Sequence, residues 1–99
     1  MKHLILAALI AGTTAPASFG GTIEKACLRS DRKAVSRSLC GCIQEAANLT
    51  LSGSDQRLAA KFFRDPHQAQ VIRQSDRSSH EAFWKRYKQF GATAETFCR

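Results

Sequence analysis

The sequence predicts an all-α protein: a small bundle of four to five short helices, held by two disulfides and preceded by a cleavable signal peptide. Three observations support this fold class. The first residues have the order of charge, hydropathy and small side chains that is typical of an export leader. All four cysteines follow this leader, in a part of the chain that export would expose to oxidation. The remaining apolar residues recur at helical spacing, without sustained alternation at every second residue.

The leader has three parts in the expected order. A short basic stretch is followed by an uninterrupted apolar run, residues 4–11, and then by small or helix-breaking residues. Signal peptidase requires small side chains at the third and first positions before the cut, as at Ala15 and Ala17. We therefore expect a signal peptide of residues 1–17, with a cut after Gly20 as the alternative. The apolar run is shorter than the ~20 residues of a membrane-spanning helix.

The remaining segment, residues 18–99, is long enough for a single domain. A chain of this size buries only about 60–65% of its unfolded surface, and small exported domains often add disulfides to a marginal core. Nothing in this segment is long and apolar enough to cross a bilayer. We therefore expect a monomer located in the periplasm or outside the cell.

Four cysteines in an oxidising compartment predict two disulfides, for which three pairings exist. Cys40 and Cys42 point about 200° apart around a helix, so each requires a distant partner. A helical hairpin that places Cys27 opposite Cys40 leaves Cys42 for Cys98. We therefore predict Cys27–Cys40 and Cys42–Cys98, with Cys27–Cys42 and Cys40–Cys98 as the alternative.

The Cys-Gly-Cys sequence also admits a different chemistry, in which Cys40 and Cys42 form the redox pair of a thiol oxidoreductase. Such a pair requires an exposed thiol of lowered pKa, and structural zinc requires four converging ligands. His67 and His80 lie far from the cysteines in the sequence. We therefore expect structural disulfides, no metal and no cofactor.

The first two helices are expected at about residues 22–29 and 34–49. Apolar residues of the second helix are spaced 4, 3, 1 and 3 residues apart, which places them on one stripe of an amphipathic helix: Val35, Leu39, Cys42, Ile43 and Ala46.

Helix-end residues define the third and fourth helices. Ser54 is the expected N-cap of a helix over about residues 55–64. Asp65 is the expected N-cap of the next helix, over about residues 66–74, with Pro66 at its first position.

The fifth helix has the clearest periodicity of the chain. Ser78 and Glu81 match the capping box that opens a helix. Apolar residues then follow at intervals of 4, 3, 4 and 3, so that all five are expected on the core side: Phe83, Tyr87, Phe90, Ala94 and Phe97.

The chain is basic, with a formal charge of +7 that falls to about +6 when Lys2 is removed with the leader. This balance favours an anionic envelope component or an acidic protein as the partner.

Two sets of residues are candidate contacts, one on the third helix and one on the fifth: Arg57, Lys61 and Arg64 at successive helical turns, and Trp84, Lys85, Arg86 and Lys88 as an aromatic residue among cations. The second set would suit a membrane or envelope surface. Specific nucleic-acid binding is not expected, because the chain has no base-reading motif.

Catalytic motifs are missing from the sequence. It contains neither a nucleophile elbow nor a glycine-rich phosphate loop. We therefore expect a binding or structural module rather than an enzyme.

Four stretches of the chain carry a resemblance: Ala26-Cys27, Ser36 to Gln44, Ser54 to Pro66 and Phe83 to Tyr87. They resemble a largely uncharacterised family of short exported four-cysteine helical proteins from alphaproteobacteria, some of which carry the label "arginine transporter". The resemblance covers nearly all of residues 18–99 and implies an exported helical protein, with no catalytic residues to carry over. A single cleavable apolar segment cannot form the helix bundle of a transporter, so the label implies at most an accessory role in arginine transport.

Overall fold

A computed structural model describes residues 21–30 and 35–98 of the chain. These residues form five α-helices and no β-strand: α1 (Thr22–Arg29), α2 (Arg37–Thr50), α3 (Gly53–Arg64), α4 (His67–Arg73) and α5 (Ser78–Phe97). The predicted all-α class is confirmed. The predicted leader and both of its cut sites lie outside the described residues. None of the described helices is long and apolar enough to cross a membrane.

Two disulfides tie helices on opposite sides of α2. Cys27 of α1 is bonded to Cys40, and Cys42 is bonded to Cys98, directly after α5. The preferred pairing is therefore confirmed and the alternative pairing is wrong. The helical rotation between Cys40 and Cys42 turns the two sulfurs towards different partners, as the sequence predicts.

The helices enclose one core. α2 packs against α1 and α5, α3 packs against α1 and α4, and α4 also packs against α5. Phe62 of α3 meets the rings of Phe83 and Tyr87 of α5 edge to face, at centroid distances of 6.1 and 5.2 Å. This aromatic cluster joins α5 to α3, while small side chains such as Ala46 and Ala47 allow α2 to lie close to its neighbours.

A buried glutamine connects α1, α2 and α3. The Oε1 atom of Gln44 accepts a hydrogen bond from Glu24 N at 2.8 Å, in the first turn of α1. Its Nε2 atom donates to Asn48 Oδ1 and to Gln56 Oε1, both at 2.8 Å. Gly21 precedes α1 and has no side chain to cap it, so Gln44 supplies the cap from another helix.

The starts of α2, α3 and α4 differ from the prediction by a few residues. α2 begins later than expected because Ser36 Oγ accepts from Leu39 N at 3.0 Å and thereby caps it. α3 begins at Gly53, so the assignment of its N-cap to Ser54 is wrong. The N-cap is Ser52, which forms a capping box with Asp55. α4 begins one residue after the predicted start.

The predicted capping box at Ser78 is also wrong. α5 begins at Ser78, its N-cap is Arg77, and no side chain caps it. Ser75 Oγ instead accepts from Arg77 N at 3.2 Å and lies 2.8 Å from His80 Nδ1. The preceding loop is thus closed by Ser75, which leaves Ser78 inside the helix rather than at its cap.

Phe97 does not face the core, contrary to the prediction from periodicity. Its side chain is 73% exposed, and Leu49 of α2 is 78% exposed. Both border an open apolar groove of about 180 Å³ between α2 and α5. Ala46 and Thr93 also line this groove, and their small side chains leave the last turn of α5 without a cover for the ring.

Candidate functional site

A basic concave surface lies between α1 and α3. It is a cleft of about 250 Å³, lined by residues of these two helices: Thr22, Lys25, Ala26, Arg29, Ala60 and Arg64. We call it the basic cleft. Three of its lining residues are cations, and none of those that the structure describes is acidic.

Two cations of the basic cleft come from α1. Lys25 and Arg29 are four residues apart and therefore lie one above the other on one face of the helix. The opposite face carries Ile23 and Cys27, which are both buried. Because Cys27 is bonded to Cys40, the disulfide fixes α1 with its cationic face towards the cleft.

The third cation comes from the last turn of α3. Ala60 and Arg64 are four residues apart and share the face towards α1. The neighbouring residues Ala59 and Phe62 are buried in the core. Burial of these apolar side chains sets the rotation of α3 about its own axis. This rotation leaves Arg64 on the side of α3 that faces the cleft.

The cations of the basic cleft are not neutralised by the described part of the protein. Lys25, Arg29 and Arg64 are exposed, and none of them forms an ion pair with another described residue. Like charges four residues apart repel each other, and a concave surface of one sign concentrates its field. An anion in the cleft would relieve this repulsion and gain charge-assisted hydrogen bonds.

The structure divides the predicted set on α3. Of the three, only Arg64 lines the basic cleft, whereas Arg57 and Lys61 are exposed and do not line it. The Arg57 guanidinium lies back over the first turn of α3, its Nη1 atom 3.8 Å from where a Cβ on Gly53 would be. The helical repeat therefore predicted one residue that lines the cleft, Arg64, and two that do not.

Two of the four residues of the predicted set on α5 make contacts within the fold. Trp84 is half-buried against the core, with its ring centroid 5.0 Å from that of Tyr87. Arg86 makes two hydrogen bonds to the Asp55 carboxylate, at 2.7 and 3.0 Å. Lys85 and Lys88 remain exposed. The aromatic ring and one cation of this set thus belong to the fold.

The pair of Asp55 and Arg86 has an electrostatic consequence. The Arg86 guanidinium, together with the Ser52 N–H group, holds the pKa of Asp55 below its ordinary value of 3.8, against the opposing effect of burial. Asp55 in turn raises the pKa of Arg86. Arg86 is therefore already paired with a carboxylate of its own chain.

The cysteines and the potential metal ligands of the described residues form no further candidate site. All four cysteines are bonded, so Cys40 and Cys42 belong to separate disulfides and do not form a dithiol pair. No group of three His, Cys, Asp or Glu side chains within residues 21–30 and 35–98 is placed to hold a metal ion.

Sequence reasoning missed Lys25 and Arg29 as site residues. Their four-residue spacing was the only signal in the sequence, and cations at that spacing are common on solvated helix faces. The separation of Arg64 from Lys25 along the chain conceals that the two helices are adjacent.

Comparison with known proteins adds no relative: no protein-family model, no curated protein and no solved structure matches this chain.

Proposed function

We propose that this protein is an exported binding module that holds an anionic partner in the basic cleft. The observation that carries the proposal is the convergence of Lys25, Arg29 and Arg64, from two helices, on one cleft without an ion-pair partner among the described residues. The partner would be an anionic component of the cell envelope or an acidic group of another protein.

Export is supported by two features of the chain. Two disulfides persist in oxidising compartments and are rare in the cytosol. The apolar run ahead of the domain is typical of a cleaved leader. The resemblance to short exported four-cysteine proteins agrees with both, and a monomer in the periplasm or outside the cell follows as part of the proposal.

The charge of the basic cleft argues against arginine as its ligand. A cationic amino acid would meet Lys25, Arg29 and Arg64 at close range, and like charges repel. An accessory role in arginine transport would therefore need a different surface. The cleft itself favours ligands of the opposite sign.

Calorimetric titration with pyrophosphate at low salt tests the proposal. The cleft variant replaces Lys25, Arg29 and Arg64 with glutamine. The control variant replaces Arg57, Lys85 and Lys88 with glutamine and so removes the same charge from outside the cleft. We expect the cleft variant to lose affinity by at least about ten-fold, because charge-assisted hydrogen bonds are lost, and the control to stay within about three-fold.

The comparison between the two variants decides the outcome. Equal losses would mean that pyrophosphate responds only to net charge, and the proposal would fail. The thermal unfolding of both variants should stay close to that of the wild type, because the substituted side chains are exposed.

A further inference from the structure

The floor of the basic cleft is apolar, and this narrows the class of anion that it suits. Ala26 of α1 and Ala60 of α3 line the cleft together with the cations. Both alanines are half-buried, and we call them the floor of the cleft. The long side chains of Lys25 and Arg64 carry their charges on aliphatic stems, which cover apolar surface while the charged ends stay in water. An anion that met only the charged ends would leave the two methyl groups in contact with water.

Uncharged hydrogen-bonding groups are scarce on this surface. Among the lining residues that the structure describes, Thr22 alone has an uncharged polar side chain. A ligand rich in hydroxyl groups would therefore bring polar groups against methyl groups without partners, which is unfavourable. An apolar body loses nothing there and displaces water from the alanines.

The size of the basic cleft also favours a ligand with an apolar body. Its volume of about 250 Å³ approaches the lower limit of about 300 Å³ for pockets that bind small organic ligands. A lone phosphate or sulfate group would fill only part of such a space. The remaining space lies over the alanine floor.

We propose that the basic cleft binds a small amphiphilic anion. Its phosphate, sulfate or carboxylate head would contact Lys25, Arg29 and Arg64, and a short apolar body would cover Ala26 and Ala60. This inference rests on the proposed function, because it names the ligand class of the same cleft. The head could belong to a soluble metabolite or to a lipid, and the chemistry of recognition is shared by both.

Calorimetric titrations with inorganic phosphate and with hexyl phosphate distinguish the contribution of the anionic head to the affinity from that of the apolar body. We expect hexyl phosphate to bind the wild type about ten-fold more tightly, the effect of burying about two methylene groups. Ala60→Leu would fill the floor and remove most of this difference. It would leave the affinity for inorganic phosphate within about two-fold, because the cations are unchanged.

Two further variants serve as controls for this experiment. Ala26→Leu fills the same floor from α1 and serves if Ala60→Leu does not fold. Ala92→Leu adds the same bulk to an exposed position of α5, outside the cleft, and should leave both affinities unchanged. A preference for hexyl phosphate that persisted in both floor variants would overturn the inference, because the apolar body would then lie elsewhere.

The two proposals fail in distinguishable ways. Equal binding of the two phosphates to the wild type would overturn the amphiphilic ligand and leave anion binding intact. Binding of pyrophosphate but of neither monophosphate would overturn the amphiphilic ligand alone, and binding of none of the three would overturn both proposals. Co-sedimentation with phosphatidylglycerol vesicles identifies the source of the head group. Pelleting that requires Arg64 would support a lipid, whereas hexyl phosphate binding without pelleting would support a soluble anion.

Discussion

At the scale of single residues, stability depends on polar side chains that act between helices. Gln44 is 5% exposed and satisfies the first turn of α1 from its position on α2. Asp55 has a double role, since it closes the capping box of α3 and binds Arg86 of α5. The cap that Gln44 supplies and the pairing of Asp55 with Arg86 have no local signature in the sequence, because each joins residues of different helices. Each can be tested by a single substitution.

Gly21→Ala should lower the free energy of unfolding by about 1–2 kcal/mol, the cost of disturbing a helix cap. A Cβ on Gly21 would clash with Gln44 Oε1, and hydrogen bonds to Asn48 and Gln56 hold Gln44 in place. Chemical denaturation measures the change.

Gly91→Ala is the matched control for that substitution. A Cβ on Gly91 meets no atom within 4 Å, and alanine is favoured over glycine inside a helix by up to about 1 kcal/mol. We expect stabilisation at this position. Equal destabilisation by the two alanines would contradict the role assigned to Gln44.

Asp55→Asn should lower the free energy of unfolding near neutral pH by about 1–2 kcal/mol, because it weakens the capping box and removes the charge that Arg86 binds. It should also change the acid dependence. The pKa of Asp55 is lower in the folded state than its ordinary value of 3.8, so the unfolded state binds more protons as the pH falls. The stabilisation is present above about pH 4 and is lost as the pH falls through the folded-state pKa.

Urea denaturation across this acidic range checks the prediction, with Asp76→Asn as the control. Asp76 is exposed and lies outside the capping box. The wild type and Asp76→Asn should lose stability with similar slopes as the pH falls, whereas Asp55→Asn should show a shallower slope. Identical slopes for all three proteins would count against the pair of Asp55 and Arg86.

At the scale of helices, the sequence predicted which segments are helical better than where each one begins. Apolar periodicity over two or more turns is a strong signal, and α2 and α5 lie close to their predicted positions. N-caps were misplaced because several serines stand close together before a helix. Ser52 prevails over Ser54 since Asp55 lies three residues after it and can return a hydrogen bond. Phe97 fits the periodicity of α5 but borders an open groove towards α2, where its side chain is 73% exposed.

The two disulfides should differ in what they contribute. On the chain-entropy model, removing Cys27–Cys40, with a sequence separation of 13, costs about 3 kcal/mol. Removing Cys42–Cys98, with a separation of 56, costs about 4 kcal/mol. Paired replacements of both cysteines by serine, followed by chemical denaturation, measure each value.

The same cysteine-to-serine variants test a second prediction, which concerns pyrophosphate binding. α1 carries Lys25 and Arg29, and Cys27–Cys40 holds α1 to α2. Loss of this disulfide should weaken pyrophosphate binding, while loss of Cys42–Cys98 should leave it unchanged, when both variants are compared under conditions where they are folded. The reverse order of effects would contradict the placement of the anion at the basic cleft.

At the scale of the whole molecule, composition favours an anionic partner but does not indicate which surface would bind it. A formal charge of +7 indicates an attraction to anions and is compatible with many surfaces. Packing α1 against α3 selects one of them, because it brings together cations that lie 35 to 39 positions apart in the chain. Such adjacency arises from the burial of Ile23, Ala59 and Phe62 in one core, which the sequence does not reveal.

The proposed export leads to a prediction about the mature form of the chain. When the protein is produced in a bacterium with a functional export pathway, the intact mass of the periplasmic form should correspond to a chain that begins at Ser18, or at Gly21 if the alternative cut is used. The reason is that Ala15 and Ala17 provide the small side chains that signal peptidase requires. A periplasmic form that retained Met1 would contradict cleavage.

Residue-resolved amide NMR during a pyrophosphate titration tests whether the basic cleft holds the anion. We expect the largest shifts around the basic cleft, at Lys25, Ala26, Arg29, Ala60 and Arg64, and we expect them to saturate together. Shifts spread evenly over the cationic surface, or centred on Lys85 and Lys88, would contradict it.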